Sequence, residues 1–460
     1  MRLCAGEGRR DGRVQQMALA GVQSTSEPVS GGVFIETYGC QMNLVDSEIV
    51  MAMLEERGYR RVDRPDQAEL VLINTCAVRE HAEVRAIQNI SRFKHLKEKG
   101  RDVRVGVLGC LSEYAADQLA GTLPFLDWIL GPDAYRRLPG LLAEPSSEIP
   151  LIFQGNGAEE LYDDILPSRR SGVNAWVTVS RGCDNHCTYC VVPATRGRLR
   201  HRAANSILDE VKMAVDQGFV QVTLLGQNVN DYRDGNLDFA GLMEKVSKVP
   251  GLRRLRFMTS HPKDLSERLI DVLASGGPIC PELHLPLQSG SDRVLKRMNR
   301  AYTADQYRGL VESVRKRVPG LLLSTDIIVG FPGESERDYH QTEQIVRETG
   351  FDDAFIYKYS ERPHTPAAKL KDDVENAEKV RRLMILNDIV RASGQSRRLQ
   401  RIGRTERILV EGPSARNESE QMGRTRAGYV VIVPGAYLSG NELDVRITSL
   451  SGYTLRGRAV

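Results

Sequence analysis

The chain has 460 residues, of which 41% are hydrophobic, enough for several cores and, by length, about three domains. Its 63 basic and 60 acidic residues leave a net charge of only +3, which excludes a chain that is basic throughout; any basic face must be local. No apolar run is long enough to span a membrane and no secretion signal is recognisable, so the expected location is the cytoplasm, where thiols stay reduced.

Residues 1–30 are rich in Gly, Arg and Ser, with one short apolar stretch from Met17 to Val22, and are expected to form a disordered extension in which Met17 is an alternative start. Order begins at Val33, where a short buried strand is expected to run into the turn Gly39-Cys40. Ile49, Val50, Met53 and Leu54 lie at helical spacing and predict a helix over 47–57, stopped by Gly58. A second strand, over 70–73, ends at Asn74-Thr-Cys76. An amphipathic helix is expected over 80–99, and a third strand, over 103–108, ends at Gly109-Cys110. Strands alternating with helices imply a parallel α/β sheet, and ligands of such sheets sit beyond the carboxyl ends of the strands. Cys40, Cys76 and Cys110 are therefore expected to gather at one edge, although each alone would read as an ordinary buried cysteine.

After a Pro- and Ser-rich linker, a strand over 175–179 leads into Ser180-Arg-Gly-Cys-Asp-Asn-His-Cys-Thr-Tyr-Cys190. Cys183, Cys187 and Cys190 form a C-x3-C-x2-C triplet. A four-iron cluster normally takes four Cys ligands, so three leave one iron open for chemistry. Zinc would favour a second Cys or His pair downstream; His186 lies between the cysteines without a partner at that spacing. Further strands end at Gly226-Gln-Asn-Val-Asn230, Thr259-Ser-His-Pro262, Pro286-Leu-Gln-Ser-Gly290, Gly330-Phe-Pro-Gly-Glu334 and Ser360-Glu-Arg-Pro363. About six strands suggest a partial βα barrel presenting its site at one face. His261 and His284 read as polar lining, and Cys4 and Cys280 are assigned no ligand role. Beyond residue 400, strands over 407–410, 428–433 and 444–448 without intervening helices predict a small β-barrel. Residues 391–460 hold twelve Arg and no Lys against six acidic residues, a local excess of +6 that favours phosphate, and hence RNA, recognition.

The C-x3-C-x2-C triplet resembles the cluster motif of radical S-adenosylmethionine (SAM) enzymes. Thr37-Tyr-Gly-Cys-Gln-Met-Asn43 with Asp46-Ser-Glu48, Asn74-Thr-Cys76 and Gly109-Cys110 is similar to the amino-terminal motifs of methylthiotransferases. The segments 225–230, 259–262 and 328–334 also match, and the last barrel resembles the TRAM module. The likeness runs from about Gly32 onward and is nearest to the tRNA-modifying branch called MiaB. It implies an amino-terminal domain over 31–147, a linker over 148–168, a radical SAM core over 169–400 and a TRAM domain over 401–460.

The resemblance implies two [4Fe-4S] clusters. One, on Cys183, Cys187 and Cys190, would bind SAM and generate a radical; the other, on Cys40, Cys76 and Cys110, would deliver sulfur. The implied reaction adds a methylthio group to C2 of N6-isopentenyladenosine at position 37, beside the anticodon of tRNA. Gln227, Asn228, Gly330, Glu334 and Arg196 would contact SAM, with Arg196 an alternative partner for tRNA phosphate. Partners would be the anticodon stem-loop, an electron donor such as flavodoxin or ferredoxin, and a sulfur donor. The chain departs from the family pattern at Leu111-Ser-Glu-Tyr114, in the more basic segment after Gly197, and at His364. Rival readings are a threonylcarbamoyladenosine or ribosomal Asp substrate, a non-catalytic iron–sulfur RNA-binding protein, and a structural zinc protein.

Overall fold

Six parallel strands open the fold, in the order Arg60–Arg61, Gly32–Thr37, Leu70–Thr75, Arg104–Gly109, Trp128–Leu130 and Leu151–Phe153. The computed structural model describes residues 31–76, 80–98, 100–155 and 159–460; the expected extension, with Cys4 and Met17, lies outside them. Every residue of Leu70–Thr75 is buried, as a central parallel strand covered on both faces requires. One face packs on the helix Gln41–Glu55 with Trp128 and Tyr135, the other on Ala86, Ile90, Phe93 and Leu119. Each fully buried Leu or Ile among them stabilises the domain by about 1.5–3 kcal/mol.

The first helix differs from its expected span: it begins at Gln41, directly after Cys40, not at residue 47. Its polar residues Asn43, Asp46, Ser47 and Glu48 are buried as well, because the helix is wedged between the sheet and the central domain. One-face periodicity misses such a helix. The expected helix over 80–99 is two helices, Glu80–Ser91 and Lys94–Glu98. The expected linker, 148–168, supplies the sixth strand and buries Tyr162 and Ile165 against the first domain.

The central domain has the six expected parallel strands. Arg254–Phe257, Gln221–Leu225 and Asn174–Thr178 form one ladder, and Glu282–His284, Leu322–Val329 and Asp353–Lys358 a second. A parallel bridge from Leu255 to Ile279 links them into a partial (βα)6 barrel. The helix Ala304–Arg317 starts with a capping box of Thr303 and Gln306, and Glu336–Thr349 with one of Ser335 and Asp338. A 24-residue helix, Asn376–Leu399, absent from the sequence expectations, packs on the last strand.

The carboxyl-terminal unit is a closed five-stranded barrel of Thr405–Ser414, Asn417–Thr425, Val430–Pro434, Thr454–Ala459 and Glu442–Ser451. The sequence showed three of these strands. Neighbours are antiparallel except at Val431 and Leu455, which pair in parallel. Two arginines of the central domain fix the barrel in place. Arg254 donates to the Arg424 carbonyl (2.7 Å) and to Glu442 Oε1 (3.0 Å), and Arg256 to the Thr425 carbonyl (3.1 Å). Among the described residues no helix is long and apolar enough to cross a membrane.

Candidate active site

Cys40, Cys76 and Cys110 follow three neighbouring strands of the first sheet, so the parallel topology brings them to one edge. The backbone is shaped for this convergence. Gly39 has φ +112°, and a Cβ there would lie 2.4 Å from Cys76 Cβ; Gly109 has φ +96°, and a Cβ there would lie 2.3 Å from Asn74 Oδ1. Only glycine fits so close an approach in the left-handed region. Asn74 Nδ2 donates to the Asn43 carbonyl (2.8 Å) and to Ser47 Oγ (3.0 Å), tying the second strand to the first helix. Cys40 caps that helix. A hydrogen bond with Cys76 lowers its thiol to about 6; burial opposes this, while Arg196 and the Asn43 and Met42 backbone act in the same direction. Burial raises Cys110, against the pull of Arg196.

Cys183, Cys187 and Cys190 lie on a loop beyond the first strand of the central domain. Distant segments clamp that loop. Thr188 N donates to the Met298 carbonyl (3.0 Å), Ala367 N to the Thr188 carbonyl (2.8 Å), and Asn299 Nδ2 to the His186 carbonyl (3.0 Å). Val192 N donates to Cys190 Sγ (3.5 Å) and Arg300 Nη1 to Cys187 Sγ (3.4 Å). Burial pushes the Cys183 thiol up and that of Cys190 to about 12.

A buried network joins the first trio to the segments that flank the triplet. Arg196, in the short helix after the triplet, donates from Nε to Cys110 Sγ (3.2 Å) and from Nη2 to Asn43 Oδ1 (2.9 Å) and Asp46 Oδ2 (2.8 Å). Arg181 Nη1 donates to Asp46 Oδ1 (2.8 Å), and its guanidinium lies over the Tyr162 ring. Exposure is 0% for Asp46, 1% for Arg181 and 3% for Arg196. Burial would raise Asp46, but Arg181 and Arg196 together hold its carboxyl below the usual range. Removing one member of such a network leaves uncompensated charge in the interior.

The other expected contacts fall into two groups. At the end of Gln221–Leu225, Gln227 Oε1 and Asn228 Oδ1 are buried acceptors without a partner among the described residues, as is Ser180 Oγ on the adjacent segment; Asn228 Nδ2 donates to Asp264 Oδ2 (2.7 Å). Glu334 is held through one carboxylate oxygen. Its Oε1 accepts from Gly330 N (3.1 Å) and pairs with Arg382 (2.6 Å), so it shapes the Gly330 turn. The Arg196 guanidinium faces Cys110 in the interior, away from any tRNA phosphate at the surface. Burial, with Arg300 and Lys263, lowers His261 to about 2, so it is neutral; its Nδ1 accepts from Lys263 N (3.2 Å).

Sequence reasoning missed Arg181, Asp46 as a charge partner, and Arg300. A signal existed for Asp46: Asn43, Asp46 and Ser47 form a polar i, i+3, i+4 stripe inside an apolar helix. Two family departures also meet. Tyr114 OH donates to the Pro363 carbonyl (3.1 Å), and its ring stands edge-on to His364.

The residues present fit two thiolate-held clusters and a polar ligand. None of the seven described cysteines is in a disulfide. Among the described residues no group of three His, Cys, Asp or Glu closes on a single ion. Each trio is faced by one guanidinium hydrogen-bonded to sulfur, the type of contact that tunes an iron–sulfur potential. The unpaired acceptors of Gln227 and Asn228 suit an ammonium group.

Residues 32–131 match the family described as Uncharacterized protein family UPF0004, residues 177–346 the Radical SAM superfamily, and residues 399–460 the TRAM domain. A tRNA-2-methylthio-N(6)-dimethylallyladenosine synthase of Chloroherpeton thalassium is 42% identical over 97% of this chain and 100% of the relative. The protein of that name from Chlorobium limicola is 43% identical over 93% of this chain and 97% of its own length. Among solved structures, the radical S-adenosylmethionine methyltransferase TsrM of Kitasatospora setae shares the fold, with a TM-score of 0.55 and 16% identity over 73% of this chain and 74% of TsrM. The three matched segments, the full-length relatives and the paired cysteine trios agree: the chain belongs to the MiaB-type methylthiotransferases of the radical SAM superfamily.

Proposed function

We propose that this enzyme adds a methylthio group to C2 of N6-isopentenyladenosine at position 37 of tRNA, giving 2-methylthio-N6-isopentenyladenosine. The observation that carries the reading is the presence of two three-cysteine sets on separate domains, with Arg196, in the helix that follows one set, hydrogen-bonded to Cys110 of the other. Cys183, Cys187 and Cys190 would hold one [4Fe-4S] cluster and Cys40, Cys76 and Cys110 the other. Bound clusters and SAM supply one-electron activation of a C–H bond that no side-chain base deprotonates, and the sulfur that replaces the hydrogen.

The protein's part is to bind, orient and keep dry. Gln227 and Asn228 offer acceptors to the SAM ammonium. Arg300 and Arg196 place positive charge beside each thiolate set. Asp46 holds Arg196 and Arg181 in register, so the two domains present their cysteines in a fixed relation. Neutral His261 lines the site without adding charge.

tRNA contact is assigned to the barrel. Most of its arginines are engaged: Arg407 with Asp444, Arg424 with Glu411, Arg456 with Glu420, and Arg426 with the Ile279 carbonyl. Arg446 and Arg458 are exposed, face each other across paired strands and have no side-chain partner among the described residues. Like charges directly opposite oppose folding, and a phosphate between them removes that cost. A low-potential donor such as flavodoxin or ferredoxin, a sulfur donor and a cytoplasmic location complete the reading.

The test is a nucleoside mass spectrum of tRNA from a deletion strain. Loss of 2-methylthio-N6-isopentenyladenosine, restored by the wild-type gene, is expected; its persistence would refute the substrate. Detection of deoxyadenosine from SAM by the reduced, reconstituted protein separates catalysis from a purely binding role.

A further inference from the structure

The strands Leu322–Val329 and Asp353–Lys358 point their carboxyl ends toward the Gly330 loop and the cysteine site. Their amino ends border a second cleft of about 220 Å3, where the central domain meets the barrel. Leu322–Val329 has eight residues. At about 3.3 Å per residue the two ends are therefore roughly 26 Å apart, so this cleft is not part of the cysteine site.

Arg315, Arg397, Arg401, Arg404 and Tyr429 line it. Gly350, the left-handed cap of helix Glu336–Thr349, turns its carbonyl to two guanidiniums at once: Arg397 Nε at 2.8 Å and Arg315 Nη2 at 3.0 Å. The two charges are thereby crowded. Burial lowers the Arg315 guanidinium, and Arg397 adds to that shift. Arg401 stacks on the Tyr429 ring at 4.0 Å and pairs with Glu406 at 2.5 Å. Arg404 is exposed and has no side-chain partner among the described residues.

The carboxylates present do not balance this charge. Asp352 is fully buried, accepts from Leu323 N (3.0 Å) and from Tyr429 OH, and stands 3.8 Å from Arg397. Glu406 answers Arg401 alone. Four guanidiniums thus face two carboxylates, both already committed. Guanidinium forks converging from two helices and a loop match the several oxygens of a tetrahedral anion. We propose that this cleft is a phosphate-binding site, separate from the methylthiolation centre and independent of that functional reading.

The phosphate belongs either to an RNA backbone or to a small phosphate compound, and the same experiment separates them. The full-length reconstituted protein is titrated calorimetrically with inorganic pyrophosphate. Saturable one-site binding is expected, weakened about tenfold by Arg404→Gln and by Arg315→Gln. Arg416→Gln, in the distant barrel turn, serves as the control and leaves it unchanged. Arg404 makes no side-chain bond among the described residues, so its variant tests the site even where Arg315→Gln lowers the melting temperature. Absence of saturable binding, or wild-type affinity in Arg404→Gln with the fold intact, overturns the proposal. Repeating the titration with saturating tRNA identifies the source. Displacement of pyrophosphate, with a tRNA salt slope lowered by about one in Arg404→Gln, assigns an RNA phosphate. Undiminished pyrophosphate binding assigns a small phosphate compound.

Discussion

Arg196 Nε lies 3.2 Å from Cys110 Sγ, although 86 residues separate the two and they belong to different domains. The arginine follows the triplet that would hold one cluster, and the cysteine belongs to the set that would hold the other. Asp46, between Arg196 and Arg181, fixes that contact from the amino-terminal domain.

Replacing Arg196 by Ala leaves Asp46 with one cation fewer and the Cys110 sulfur without its donor. A loss of about 3–5 kcal/mol is expected, the usual cost of breaking a buried pair. Urea unfolding of the two proteins under anaerobic conditions measures it. Arg196→Lys keeps the charge but cannot reach Cys110, Asn43 and Asp46 together, and should recover only part of the loss.

A triple Ala variant of Cys183, Cys187 and Cys190 should keep one cluster. Iron and sulfide per chain are expected to fall by about half, because the second cysteine set stands on a separate sheet with its own core. A variant without iron would contradict two independent sites.

Arg300 donates to Cys187 Sγ, and such bonds stabilise the more negative, reduced state of a cluster. Arg300→Gln should lower the reduction potential of the cluster on the triplet and leave total iron unchanged. Anaerobic redox titration followed by electron paramagnetic resonance reports both.

Glu48 carries a pH dependence of a definite sign. Burial raises its carboxyl from 4.5 to about 7, against Arg169 and aided by Glu210. Between those values the folded state retains a proton that the unfolded chain has lost, so this contribution to stability falls as pH rises. Glu48→Gln should therefore match the wild type below about pH 4.5 and exceed it by about 3 kcal/mol above pH 7. Denaturant midpoints across that range test the difference.

Arg446→Gln and Arg458→Gln should each weaken tRNA binding and lower its salt slope by about one. Neither should reduce the melting temperature, because each relieves a like-charge pair. Salt-dependent filter binding and thermal melts give the two readouts.

The triplet was legible because its ligands lie within eight residues, so no tertiary knowledge was needed to bring them together. Cys40, Cys76 and Cys110 were legible for a different reason. Each ends a strand, and parallel topology sends equivalent strand ends to the same edge. The first helix starts six residues before its expected start, because buried Asn43 and Asp46 interrupt the apolar spacing. The strand Leu151–Phe153 falls inside the expected linker, because three residues among Pro and Ser carry no period.

The twelve arginines of residues 391–460 mark the limit of composition. Their excess of charge was visible; which of them face phosphate was not. The fold pairs Arg407, Arg424 and Arg456 with carboxylates and leaves Arg404, Arg446 and Arg458 without them. Likewise, nothing local distinguishes Arg196 from its neighbour Arg198, yet one is buried on Cys110 and the other is exposed.

By itself the sequence determined the chemistry: six cysteines in two sets, three strand-ending turns and a basic carboxyl-terminal unit. These depend on spacing along the chain and on the regular geometry of parallel strands. Only the tertiary structure decided which charged groups face the thiols and which face solvent. A guanidinium's environment is set by the packing of elements distant in sequence, and burial turns a weak surface charge into a strong, directed one.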